Sequence, residues 1–124
     1  LHDAIKLVVE RFEPTEAAVE SPFHGVNARS ALQLAHARGV ILAALGGAGV
    51  PVFEYTPATI KKAVTGSGRA EKVQVQLMVG RLIPNTVPDE RPDVADAIAA
   101  ALCHLFGSGM NDILRKQGLD GRRR

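Results

Sequence analysis

Apolar residues recur at helical spacing near the start of the chain, where Ala4, Ile5, Val8, Val9 and Phe12 predict an amphipathic helix over residues 2 to 12. Pro14 stops it. The short apolar run Ala17-Ala18-Val19, closed by Glu20, suits a buried strand, and Ser21 to Gly25 breaks the pattern as a loop. Asn27 stands where it can cap a long helix from Ala28 to Leu45, with the Gly46-Gly47 pair as its end. Ala28, Ala31, Ala35 and Gly39 fall along one stripe of that helix, a small-residue surface that allows another helix to approach closely. Val50 to Tyr55 predicts a second strand. Strand, helix and strand joined by one crossover imply two parallel strands.

Further on, Thr56-Pro57 reads as a helix start, with threonine as cap and proline at the first helical position. That helix is short and ends by Gly66; the turn Thr65-Gly66-Ser67-Gly68 leads to another over residues 70 to 83. Pro84, Pro88 and Pro92 mark a loop. From Pro92 to Phe106 the pattern is helical and almost wholly apolar past Asp96, which predicts burial on most sides. The organisation expected is α/β, with residues 1 to 106 in one domain and residues 107 to 124 a basic, flexible tail.

Composition narrows this. Apolar residues make up 46% of 124, enough for one core and against disorder, and aromatic residues only 4%, so the core must be aliphatic. No apolar run approaches the roughly 20 residues that span a bilayer. The first segment carries His2, Asp3 and Lys6 and is not expected to be a signal peptide. Cys103 stands alone in the sequence, which fits a reducing, cytoplasmic setting. The net charge of +2 discriminates little. Its distribution says more, because Lys61, Lys62, Arg69, Lys72 and Arg81 face only Glu71 over that stretch and the chain closes on Arg122-Arg123-Arg124. Such a patch can contact phosphates, although charge alone favours a solvated face.

Three carboxylates stand out by position. Glu20 closes the first strand at the edge where open α/β sheets bind ligands. Asp93 and Asp96, three apart in the first turn of the last helix, project from one face. Clustered carboxylates suit a hard cation such as magnesium, and nucleases use two such ions, one to activate water and one to stabilise the leaving oxygen. Spacing alone leaves a plainer reading open. An aspartate in a first turn commonly serves the positive helix end, worth about 0.3–1 kcal/mol, and a glutamate at a strand end is commonly surface.

The wider pattern is more specific. Glu20-Ser21-Pro22-Phe23, Asn27-Ala28-Arg29-Ser30-Ala31-Leu32-Gln33-Leu34 and Ala37-Arg38-Gly39 resemble the RuvC family of Holliday-junction resolvases. So do Val52-Phe53-Glu54-Tyr55, Ile60-Lys61, Gly66-Ser67-Gly68, Ala70-Glu71-Lys72, Gln74-Val75-Gln76, Met78-Val79 and Ala95-Asp96-Ala97-Ile98 running to His104. The resemblance covers about residues 1 to 106, in order and at consistent spacing.

This resemblance implies a ribonuclease-H-like fold, a mixed sheet of five strands flanked by helices, of which this chain carries the last two strands. The family's acidic tetrad falls on Glu20, Asp93 and Asp96. Its first member, an aspartate in a Gly-Ile-Asp-Pro-Gly-like motif on the opening strand, has no counterpart in these residues, so the first three strands are expected to lie outside them. With the neighbour of the Glu20 strand missing, backbone groups would go unpaired, and the isolated chain is expected to fold poorly and cut little.

The resemblance also implies two Mg2+ ions held by Glu20, Asp93 and Asp96, and a role for Lys72 in stabilising charge at the scissile phosphate. Lys72 follows the glycine turn at a helix start, where ammonium and helix N-terminus both favour a phosphate. Phe23 falls on a position that contacts DNA near the junction crossover, where an exposed ring stacks on a base for about 1–3 kcal/mol. Lys61 matches another lysine that handles DNA, whereas Lys62 and Arg69 have only charge and proximity to recommend them. The long helix resembles the family's dimer helix, and a homodimer matches the two-fold symmetry of a four-way junction.

The implied function is resolution of Holliday junctions by symmetric phosphodiester hydrolysis in bacterial DNA recombination and repair. Its implied partners are four-way junction DNA and a branch-migration motor of the RuvA and RuvB type. The alternatives are a non-catalytic junction-binding module and another ribonuclease-H-like nuclease. His24, His36 and His104 make no zinc spacing; His104 reads as structural and Cys103 as core.

Overall fold

The helical period of residues 2–12 forms α1 (His2–Phe12), which ends where Glu13 turns into the left-handed region (φ 48°) before Pro14. In the computed structural model, residues 1–21, 27–85, 91–116 and 118 are described, with backbone alone over 108–116. The chain divides into two compact units, Leu1–Pro57 and Ala58–Arg124.

In the first unit β1 (Ala17–Glu20) and β2 (Val52–Tyr55) pair in parallel, with Ala17 opposite Val52 and Glu20 opposite Tyr55. The Ala17 N–H donates to the Pro51 carbonyl at 2.9 Å, and the Ser21 N–H to the Tyr55 carbonyl at 2.7 Å. The second strand starts two residues later than expected. Val50 has given its N–H to the Leu45 carbonyl (3.0 Å), and Pro51 has none to give.

Between the strands runs α2 (Ala28–Gly47), whose N-terminus is fixed as expected: Asn27 Oδ1 accepts from the Ser30 N–H at 2.9 Å. Its end differs. Gly46 and Gly47 are the last helical residues, and the stop is Gly49 (φ 73°). Bonds from Val50 N–H to the Leu45 carbonyl and from Gly49 N–H to the Gly46 carbonyl make a Schellman ending, which needs its left-handed residue there. α2 packs against α1 and meets β2. Its C-terminal Ala44 and Leu45 are buried, whereas Leu32 and Leu34 are exposed.

The second unit holds α3 (Pro57–Thr65) from Ala58 onward, α4 (Lys72–Leu82) and α5 (Pro92–Lys116). Gly66 (φ 88°) ends α3, and the Thr65 hydroxyl accepts from the Ser67 N–H at 3.1 Å. At Gly68 the turn passes so close to the start of α3 that a Cβ would stand 3.3 Å from the Ala58 carbonyl oxygen. α4 begins at Lys72 rather than at residue 70, because Glu71 is its cap; the Glu71 N–H donates to Gln74 Oε1 at 3.0 Å. The core is aliphatic, as the composition requires: Ile60 and Val64 of α3, Val75 and Val79 of α4, and Ala95, Ala99 and Leu102 of α5.

Two expectations for the last helix change. It continues past Phe106 to Lys116, since Phe106, Met110, Ile113 and Leu114 keep helical spacing through Gly107 and Gly109. It is also not buried on most sides. Ala95, Ala99, Leu102 and Cys103 face inward, while Asp93, Asp96, Ala97, Ala101 and Leu105 are exposed. Residues 117 and 119–124 of the expected tail, and most of the proline loop, lie outside the described residues. No helix among the described residues is long and apolar enough to cross a membrane.

Candidate active site

A parallel strand pair brings both carboxyl ends to one edge, and here that edge carries Glu20 and Tyr55. Glu20 is exposed there, where the strand has run out of apolar residues. It belongs to the first unit; Asp93, Asp96, Lys61 and Lys72 belong to the second.

In the second unit, Pro92 opens α5 with no N–H to satisfy, and Asp93 follows at the positive end of the helix. Asp96 lies one turn on, and both carboxylates are exposed. α4 packs against α5, with Val75 and Val79 buried on the one helix and Ala95 and Ala99 on the other. Lys72, the first residue of α4, places its Nζ 3.2 Å from Asp96 Oδ2. The side chains are 56% and 45% exposed, so this is a water-accessible ion pair, about 0–1 kcal/mol in strength. Lys61 is half-buried on α3, and Lys62 and Arg69 are exposed. Phe23 and His24 lie outside the described residues. His36 is exposed on α2, and His104 is buried in α5.

Among the described residues no group of three or more His, Cys, Asp or Glu side chains is gathered to hold a metal ion. The donor chemistry of α5 nonetheless fits a hard cation. Magnesium takes one or two carboxylates and completes its shell with water and substrate phosphates, and the ammonium of Lys72 already occupies Asp96 as a cation.

Sequence reasoning named Lys72 and Asp96 separately and missed their pairing. It also missed the ion pair between Arg38 of α2 and Glu54 of β2. Both of those residues lie in segments that carry the family resemblance, but nothing in the spacing couples them.

Comparison with known proteins gives the class. A solved structure of Thermus thermophilus RuvC superposes with a TM-score of 0.78 at 37% identity, covering 88% of this chain and 66% of that one. A second, of T. thermophilus RuvC in complex with Holliday junction substrate, gives 0.77 at 37% identity. The fold is therefore ribonuclease-H-like, of which this chain carries a parallel strand pair and helices.

The family follows from sequence. Residues 1–104 match the family described as crossover junction endodeoxyribonuclease RuvC, and the chain belongs to that family. The crossover junction endodeoxyribonuclease RuvC of Xanthobacter autotrophicus is 48% identical over 109 residues, 88% of this chain and 64% of its own length. That of Chloroflexus aggregans is 47% identical over 107 residues, 86% and 65%. The chain thus spans a little under two thirds of the length of the relatives it matches.

Proposed function

We propose that this protein is a structure-specific endonuclease that resolves Holliday junctions by metal-dependent hydrolysis of opposed phosphodiesters. The observation that carries this is the continuous family match over residues 1–104, which includes Glu20, Lys61, Lys72, Asp93 and Asp96. In this reading Glu20, Asp93 and Asp96 supply carboxylates to Mg2+. When bound, two such ions would raise the acidity of water and neutralise charge on the leaving oxygen.

The chain's own groups do the rest. The positive end of α5 tempers repulsion between the Asp93 and Asp96 carboxylates. Lys72 stabilises negative charge at the scissile phosphate, and Lys61 and Phe23 hold the DNA. Water attacks phosphorus as the bond to the leaving oxygen breaks, which leaves ligatable nicks. The exposed Leu32 of α2, which shares a helix face with the open space around Gly39, supports α2 as a surface for a second copy. Two copies would cut opposing strands symmetrically. A bacterial cytoplasmic setting and a branch-migration motor as partner belong to the same reading.

The test compares a synthetic four-way junction with a linear duplex of the same sequence, in Mg2+. Assayed together with the family's opening strand and its aspartate, the wild-type protein should nick the junction at paired positions and spare the duplex, and Asp96→Asn should bind without cutting. Equal cutting of both substrates would point instead to a general ribonuclease-H-like nuclease. Binding without cutting by the wild type would point to a junction-binding module.

A further inference from the structure

We propose that Lys72 and a divalent cation are exclusive occupants of the Asp96 carboxylate, so that metal loading releases the lysine ammonium to a DNA phosphate. This rests on the metal-dependent reading above and adds a coupling between its two ligands.

The geometry is specific. Lys72 Nζ is 3.2 Å from Asp96 Oδ2, and the pair is set by the packing of α4 on α5. A magnesium ion needs a carboxylate oxygen at about 2.0–2.1 Å. With the ammonium still on Asp96 Oδ2, two cations would stand within a few ångströms of one another and draw on the same carboxylate charge, so each weakens the other's hold. The more loosely held of the two gives way. Lysine is the group able to move, because its ammonium rides on a flexible four-carbon stem and half of its side chain is already in water. Once off Asp96 it has lost its counter-charge at the start of α4, where a phosphate can replace it. Metal and DNA backbone then strengthen each other's binding through one side chain, and linkage makes that effect reciprocal.

Binding of Mn2+ in the absence of DNA, read from the EPR signal of free ion, tests the exclusion without reference to cleavage. Lys72→Gln should lower the Mn2+ dissociation constant by about two- to fivefold, the span set by an exposed ion pair. Lys72→Arg, which keeps the charge and the reach, should bind like wild type. Lys62→Gln, which removes the same charge from α3, should change little. An unchanged constant in Lys72→Gln, or an equal gain in Lys62→Gln, overturns the exclusion and leaves the metal reading standing. If neither wild type nor Lys72→Gln binds Mn2+ at millimolar concentration, the metal reading of Asp96 falls and takes the exclusion with it.

Discussion

Arg38 of α2 donates from Nη2 to Glu54 Oε1 of β2, an ion pair that ties the crossover helix to the strand beside Glu20. The two ends are unlike in setting. The Arg38 side chain is 25% exposed and its Nε is buried without a hydrogen-bond partner, whereas Glu54 is 47% exposed.

That asymmetry predicts unequal costs of breaking the pair. Glu54→Ala strands a mostly buried guanidinium and should cost about 1–3 kcal/mol. Arg38→Met removes the buried charge together with its orphaned Nε and leaves a carboxylate that water can reach, so its cost should stay below about 1 kcal/mol. Urea unfolding at neutral pH measures both, provided the slope is unchanged between variants. If Arg38→Met proved the more damaging, the pair would not be what limits this contact.

The seam between α4 and α5 gives a second prediction. Val79 and Ala95 are fully buried, so space at Ala95 is already taken. Ala95→Leu should overpack it and cost about 1–3 kcal/mol. Ala97→Leu, two residues on and exposed, should change stability by no more than about 0.5 kcal/mol. Thermal unfolding followed by far-UV circular dichroism separates the two. Equal tolerance of both leucines would mean that the seam is not tightly packed.

How much could be read from the sequence follows from which forces are local. α1, β1 and the start of α2 were legible because period, proline and the Asn27 cap act within a few residues. The end of α2 was misplaced because three glycines, Gly46, Gly47 and Gly49, lie close together and only the hydrogen bonds decide which one turns left-handed. In α5 the residues Ala97, Ala101 and Leu105 are apolar by type, so periodicity could not tell that they face water. For the candidate site the family pattern named residue types, Lys72, Asp93 and Asp96, and not their contacts. That Lys72 sits on Asp96 depends on the packing of two helices far apart in sequence, which no local rule contains.

Cys103 supplies the last prediction. Its thiol is buried in α5, its Sγ lies 3.9 Å from the Thr59 carbonyl of α3, and burial pushes its pKa above the usual 9.0. Folding thus favours the neutral thiol. Well below pH 9 both folded and unfolded chains keep the proton, and the contribution is fully present. As pH rises the unfolded chain ionises first, so the folded state binds more protons and stability falls until the folded thiol also titrates. Cys103→Ala is the reference that isolates the thiol. The stability of wild type relative to Cys103→Ala should be constant from pH 6 to about pH 8 and should decline above about pH 9. Urea unfolding across that range measures the difference. A difference that stayed flat to pH 10.5 would show that the thiol is as free to ionise in the folded protein as in the unfolded chain.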